Sequence, residues 1–190
     1  MTTARFSTAA TDNRYNAVAQ WLHWITAILV LTTLPIAWVM INMARDNPSA
    51  PTLVMIHKSL GVTIFAVVAF RILWRGLSPA PPLLWTLEPW EAWTARISHV
   101  LLYLVLLGLP ISGYVFSAAS NHPVKYFNLF TLPLLPEDKP LAHAAGEVHE
   151  ALSWALYALL GLHILGTAYH LILKRDDVLD RMLPKQFNAD

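Results

Sequence analysis

Residues 148–173 read VHEALSWALYALLGLHILGTAYHLIL, a stretch long and apolar enough to form one membrane-spanning helix. Two of its three histidines, His149 and His163, are 14 residues apart. In a helix, that spacing brings the second side chain to within about 40° of the first, about 21 Å further along the axis. Ionisable side chains at such depth are costly and usually functional. Two of them on one face, at opposite depths, predict two cofactors stacked across a membrane.

The composition is that of a membrane protein. Of the 190 residues, 56% are hydrophobic and 13% are charged, against about 25% charged residues in average soluble domains. The chain has no cysteine, which excludes disulfides, thiolate-held iron–sulfur clusters, thiolate zinc sites and haem attached through C-x-x-C-H. The eight histidines remain as strong metal ligands, and the net charge of +1 gives no indication of a nucleic-acid partner.

Four segments are long enough to cross a bilayer as helices. They run from Val18 to Met43, Leu53 to Trp74, Ile97 to Ala119 and Val148 to Leu173. Pro35 and Pro110 lie inside the first and third, where membrane helices tolerate a kink. The longest connection is the loop 121–146, with four prolines. The sequence therefore predicts an all-α membrane protein, a bundle of four transmembrane helices.

The rest of the chain is short. Residues 1–13 are polar and no apolar core follows them before Val18, so we expect a disordered N-terminus rather than a signal peptide. Residues 14–184 form the one four-helix domain, and 185–190 form a C-terminal tail. After the prolines of segment 78–87, interfacial anchors are expected at Trp85, Trp90 and Trp93.

The basic residues predict the topology. Nine of them fall on one side of the predicted bundle: Arg5, Arg14, Arg71, Arg75, Arg96, Lys174, Arg175, Arg181 and Lys185. Four fall on the other: Arg45, Lys58, Lys125 and Lys139. Because lysine and arginine accumulate in cytoplasmic segments, both termini are expected in the cytoplasm.

The histidines sort by depth into two levels. A b-type haem needs two axial imidazoles from facing helices at matching depth. His57 and His149 match on the outer side. His23 then pairs with either His163 or His170; residue counting slightly favours His170, but helix tilt leaves both open. A structural zinc site would need four clustered ligands, whereas these residues separate into two levels. The other histidines are expected as interfacial polar residues: His99 at the start of the third helix, and His122 and His143 in the outer loop.

Several glycines accompany these histidines. Gly61 comes one turn after His57, and Gly161 and Gly166 flank His163. Gly108 and Gly113 belong to the third helix. Small residues serve close helix packing in membranes, and the alternative is that they leave clearance for a flat macrocycle.

The motifs around the histidines resemble those of the bacterial cytochrome b561 family over residues 13–184. They are Trp21-Leu22-His23-Trp24, Met55-Ile56-His57-Lys58-Ser59-Leu60-Gly61, Ser98-His99-Val100-Leu101-Leu102-Tyr103, Pro110-Ile111-Ser112-Gly113-Tyr114, Val148-His149-Glu150, Gly161-Leu162-His163, Tyr169-His170 and the segment from Asp176 to Met182. The resemblance implies a four-helix bundle holding two non-covalent, bis-histidine haems b.

Carried onto this sequence, the resemblance implies that His23 and His163 ligate the cytoplasmic-side haem iron and that His57 and His149 ligate the outer one. His99 and His170 are left as candidates for a supporting role beside a ligand or for a quinone site. The cations near the helix ends are candidates to pair with haem propionates: Lys58, Arg71, Arg75 and Arg96.

The resemblance implies one-electron transfer between a donor at the outer, periplasmic face and ubiquinone in the inner membrane of a bacterium. Superoxide is the leading small-molecule donor, and a periplasmic redox protein is the other, so the chain is an oxidoreductase or an electron carrier. The alternative is a haem b subunit that links a dehydrogenase or hydrogenase to quinone. A transporter or proton relay is the alternative from a different functional class. A dimer of the chain is also possible from the sequence.

Overall fold

The computed structural model describes residues 14–44, 46–82 and 87–184. The expectations for residues 1–13, for 185–190 and for Trp85 lie outside these ranges. Four helices follow one another along the described chain: α1 (Ala17–Asn42), α2 (Ala50–Leu77), α3 (Pro89–Ala119) and α4 (Lys139–Ala168), with a short hairpin, β1 (Lys125–Tyr126) and β2 (Phe130–Thr131), before α4. A π-helical turn (Tyr169–Lys174) continues α4. All four helices are long and apolar enough to cross a membrane, which confirms the predicted fold class.

Helices α3 and α4 begin earlier than the hydropathy predicts. A capping box between Glu88 and Glu91 starts α3 at Pro89, and the Asp138 carboxylate accepts from Leu141 N at 2.9 Å at the start of α4. Such caps satisfy the free N–H groups of the first turn in a polar segment. The prediction that the loop extends to residue 146 is therefore wrong. His143 lies on α4, 3.3 Å from Glu147, and not in the loop.

Each helix packs on the next along the chain, α1 on α2, α2 on α3 and α3 on α4. Within the described helices, no Cα atom of α4 comes within 8 Å of one in α1 or α2. Packed helices normally lie with their axes 8–10 Å apart. Helix α4 is therefore held by α3, and its opposite face meets α1 and α2 through long side chains rather than through close backbone contact.

An apolar layer crosses the middle of the bundle. It contains Val30 from α1, Ile64 from α2 and Leu156 from α4, each less than 7% exposed, together with Val68, Val105 and Leu106. Val30 and Ile64 each follow the histidine of their own helix, His23 and His57, by seven residues. Leu156 is seven residues from both His149 and His163. Seven residues make two turns and return to nearly the same face, so this layer separates two histidine levels.

The two termini of the described chain meet at one end of the bundle, called here the terminal end. Tyr15 N donates to Arg181 O at 3.1 Å, Gln20 Nε2 donates to the same carbonyl, and Trp24 Nε1 donates to Met182 O at 2.9 Å. The other end, called the hairpin end, carries β1 and β2. Segment 176–184 thus closes the terminal end across the start of α1.

Candidate haem-binding site

Two pairs of imidazoles span the gap between α4 and the helices α1 and α2. In each pair, a histidine of α4 faces a histidine of α1 or α2. At the hairpin end, the ring centres of His57 and His149 are 6.3 Å apart, with an angle of 81° between the planes. At the terminal end, those of His23 and His163 are 6.2 Å apart, with an angle of 61°. The structure thus brings together the residues that the sequence pairs, in two levels.

The ring separations fit a metal ion between the members of each pair. Bonds of about 2 Å from one ion to a nitrogen of each ring, plus about 1 Å from each nitrogen to its ring centre, place the centres about 6 Å apart. The distances therefore suit a bis-imidazole ligand set at both levels.

The protein orients His149 through α3. Its Nδ1 donates to the Leu109 carbonyl at 2.9 Å and lies 3.2 Å from Ser112 Oγ. Because a carbonyl can only accept, the proton sits on Nδ1 and leaves the Nε2 lone pair free. This is the usual arrangement of a metal-ligating histidine.

Across the gap, His57 Nδ1 is buried and has no hydrogen-bond partner among the described residues. Buried imidazole nitrogens without a partner are costly in a folded protein. In the part of the chain that the structure describes, the His57 ring, whose centre lies 6.3 Å from that of His149, therefore keeps a nitrogen that no protein group satisfies.

His23 has a different neighbour. Arg71 Nη2 lies 2.9 Å from its Nδ1, and a guanidinium can only donate. Nδ1 therefore accepts, and a neutral ring carries its proton on Nε2. The same guanidinium lies 5.3 Å from the centre of the Tyr103 ring. For His23 to ligate through Nε2, the ring must move its proton to Nδ1 and give up this contact.

The two remaining candidates have separate places. The ring of His99 lies 5.2 Å from that of His163, and its Nδ1 donates to the Ala95 carbonyl of its own helix. His170 is on the π-helical turn and binds Asp176 Oδ2 through Nδ1 at 2.7 Å. His163, and not His170, lies opposite His23, although residue counting favours the reverse.

The glycines differ in what surrounds them. A Cβ on Gly113 would lie 2.9 Å from Cε1 of His149, and one on Gly108 would lie 3.0 Å from Leu152 Cδ1. A Cβ on Gly61 or Gly161 would meet no atom within 4 Å. Close packing therefore explains why positions 113 and 108 are glycines. Open space, in contrast, adjoins Gly61 near His57 and Gly161 near His163.

The four candidate propionate partners lie at both ends of the bundle. Lys58 follows His57 and is half-buried. Arg71 contacts His23. Arg75 and Arg96 are exposed, and their guanidinium carbons lie 5.5 Å from the Tyr15 ring centre and 5.9 Å from that of Trp93. Only Arg71 among them touches a histidine of the two pairs.

Two supporting contacts escape sequence reasoning. Ser59, fully buried, donates to the Lys125 carbonyl at 3.2 Å and accepts from Phe127 N at 2.8 Å. This contact docks the hairpin beside His57. Lys174 Nζ binds Glu91 Oε2 at 2.7 Å and ties the π-helical turn to α3. The sequence shows Ser59 and Glu91 as polar residues within apolar helices, which indicates that they have polar partners. It does not show which groups those partners are.

The fold is that of a multi-pass helical membrane protein, and its opposed imidazole pairs suit a planar metal-containing cofactor. The chain matches the prokaryotic cytochrome b561 family over residues 14–185 and belongs to it. Membership implies haem b and electron transport.

Curated relatives match along almost the whole chain. Cytochrome b561 homolog 2 of Escherichia coli (strain K12) is 32% identical over 176 residues, 92% of this chain and 94% of its own length. The probable superoxide oxidase CybB of Yersinia pestis is 29% identical over 175 residues, 91% of this chain and 97% of its own. Cytochrome b561 homolog 1 of Escherichia coli (strain K12) is 21% identical over 174 residues, 92% of this chain and 99% of its own.

Proposed function

We propose that residues 14–184 form a di-haem b-type cytochrome of the bacterial inner membrane. His57 and His149 hold one haem, and His23 and His163 hold the other. The observation that carries the proposal is the pair of imidazole separations, 6.3 Å and 6.2 Å, in two levels. Following the distribution of basic residues, the terminal end faces the cytoplasm and the hairpin end faces the periplasm.

A haem held by these histidines would supply reversible one-electron chemistry. The protein orients the ligands and separates the two levels. The Leu109 carbonyl fixes the tautomer of His149 and makes its Nε2 a better donor. The layer of Val30, Ile64 and Leu156 keeps water from between the two levels and sets their spacing.

Arg71 is the strongest candidate to pair with a propionate at the inner level. It is half-buried, it reaches His23, and a guanidinium binds carboxylates in a bidentate fork. An anionic acceptor would draw the guanidinium away from His23 Nδ1 and allow that nitrogen to carry the ring proton. Lys58 is the corresponding candidate at the outer level; Arg75 and Arg96 are more exposed.

We propose superoxide as donor and ubiquinone as acceptor. Two superoxide anions give up one electron each and leave as O2, and one ubiquinone takes both electrons and two protons to become ubiquinol. The name of the Yersinia pestis relative supports the donor. At the hairpin end, the Ser59–Lys125 contact brings Lys125 to the turn of α2 that carries Lys58. Two cations beside the outer pair favour the approach of an anion, although the outer side as a whole carries little net charge.

The test is purification in mild detergent, haem quantification by pyridine haemochrome, and reduction by superoxide with ubiquinone present. Two haems b per chain, reduced by superoxide and reoxidised by ubiquinone, is the expected result. Two haems that superoxide does not reduce would contradict the proposed donor and favour a partner dehydrogenase or hydrogenase. Folded protein without haem would contradict the cytochrome proposal altogether and favour a transporter or proton relay.

A further inference from the structure

The hairpin of β1 and β2 packs against the side of α2 rather than on the end of that helix. Ser59 Oγ donates to Lys125 O at 3.2 Å and accepts from Phe127 N at 2.8 Å, and Tyr126 Oη lies 3.3 Å from Thr63 Oγ1. Ser59 and Thr63 follow the first residue of α2 by nine and 13 residues, which is about 14 and 20 Å of helix. The hairpin therefore runs alongside the third and fourth turns of α2.

These turns of α2 lie at the depth of lipid acyl chains. Helix α2 has 28 residues and is about 42 Å long, against a hydrocarbon core of about 30 Å. A helix of this length, centred on the core, extends about 6 Å beyond it at each end, so that Ser59 lies about 8 Å inside. The contacts of the hairpin with Ser59 and Thr63 are therefore made within the hydrocarbon layer.

Ser59 belongs to the side of α2 that faces lipid elsewhere along the helix. The residues seven, 11 and 14 positions further on share its face of the helix. They are Ala66, Phe70 and Leu73, and all three are exposed. Ser59 itself is fully buried. The hairpin therefore covers a patch of α2 that would otherwise contact lipid, and the outward side of the hairpin takes the place of that patch.

The outward side of the hairpin is apolar. Phe127 is 39% exposed, Leu129 76% and Phe130 57%. Residues 126–135 contain no charged side chain. Exposed apolar side chains that lie together mark sites of contact with another protein or with a membrane. At acyl-chain depth, and beside the exposed face of α2, the surrounding lipid is the partner that this surface meets.

The backbone of the hairpin is also compatible with lipid. Phe127 N donates to α2, Leu129 N donates to Tyr126 O at 2.8 Å, and Leu132 N donates to Val124 O at 2.9 Å. Strand β1 pairs with β2 in antiparallel register. Non-helical backbone at membrane depth is tolerated where protein groups satisfy its N–H and C=O groups. These hydrogen bonds meet that requirement for the groups that they join.

We propose that the hairpin, residues 124–132, is a membrane-inserted element whose outward side chains contact the acyl chains of the lipid leaflet at the hairpin end. Lipid is favoured over a second copy of the chain because the patch continues the lipid-facing side of α2 at acyl-chain depth. The contact needs neither haem nor a particular electron donor, so it can be tested whether or not the proposed function holds.

Cysteine accessibility tests the contact, because the chain has no cysteine of its own. The full-length variants Leu129→Cys and Phe130→Cys are placed in lipid nanodiscs and treated with a charged, water-soluble maleimide. Leu104→Cys, at a position 61% exposed in the middle of α3, is the lipid-facing control. Glu137→Cys, at an exposed position before α4, is the aqueous control. We expect loss of labelling at 129 and 130 relative to Glu137→Cys, as at Leu104→Cys; labelling as fast as that of Glu137→Cys would overturn the proposal.

A second measurement uses the wild-type protein and separates lipid from a second copy of the chain. The protein is placed in nanodiscs containing a phosphatidylcholine with a photoreactive diazirine in its acyl chain, irradiated, and mapped by mass spectrometry. We expect cross-links to lipid within residues 127–130 and none within the polar first turns of α4, residues 139–147. Absence of lipid cross-links at the hairpin would overturn the proposal. A disulfide between two Leu129→Cys chains under oxidation would then assign the surface to a dimer.

Discussion

The imidazole of His149 lies directly against the backbone of α3 at Gly113. A Cβ at position 113 would come within 2.9 Å of Cε1 and 3.1 Å of Nδ1. The same ring donates to Leu109 one turn earlier. Helix α3 therefore fixes both the position and the tautomer of the histidine, and the absence of a side chain at residue 113 makes that possible.

Gly113→Ala is expected to displace the His149 ring and weaken haem binding at the outer level. Because α3 holds the clashing ring, relieving the clash moves the imidazole away from the Leu109 carbonyl to which it donates. We expect about half the wild-type haem per chain, measured by pyridine haemochrome. Gly76→Ala is the control, because a Cβ there meets no atom within 4 Å. Full haem content in Gly113→Ala would refute this account.

Gly61→Ala tests whether the open space beside His57 accommodates the macrocycle. A Cβ there meets nothing within 4 Å, and alanine is favoured over glycine in a helix by about 0.5–1 kcal/mol. The thermal stability of protein prepared without haem should hold or rise, while outer haem occupancy falls. If haem content stays at the wild-type value, the glycine serves something other than clearance.

His163→Ala and His170→Ala separate the two inner-level candidates. His163 faces His23, whereas His170 is held by Asp176 on the π-helical turn. We expect His163→Ala to lose the inner haem spectrum and keep the outer one. His170→Ala should retain both, as judged by redox difference spectra. The reverse pattern would assign the ligand to His170.

Ser59→Ala is expected to loosen the hairpin. The hydroxyl accepts from Phe127 N and donates to Lys125 O, so its removal leaves a partly buried N–H without this partner, at a cost of about 1 kcal/mol. A lower melting temperature and faster proteolysis within residues 121–138 should follow. Thr32→Ala, which loses only a bond to Ile28 O on its own exposed helix face, should show neither change.

Glu91→Gln is expected to weaken the attachment of the π-helical turn to α3. Glutamine can still accept from Glu88 N, as Glu91 does at 2.8 Å, so the capping box survives while the charge opposite Lys174 is lost. We expect a lower melting temperature, and Lys174→Met should add little to it in the double variant. Additive effects of the two changes would show that the ion pair is not their common cause.

Most of the fold follows from patterns along single helices. Four apolar stretches of sufficient length predict four spans, and this prediction is confirmed. Hydropathy does not reveal where α3 and α4 begin, because capping side chains such as Asp138 extend both helices through polar sequence. The predicted loop boundary at residue 146 and the predicted position of His143 in that loop are wrong for that reason.

The sequence by itself determined the number of spans and the two-level arrangement of the histidines, because both follow from the fixed rise and turn of a helix. Only the tertiary structure decided which side chains face each other. The opposition of His163 to His23, the Arg71 contact, the support of His149 by α3 and the docking of the hairpin on Ser59 all join helices distant in sequence. Such contacts depend on the tilt, rotation and relative height of packed helices, which the spacing along one chain segment does not contain.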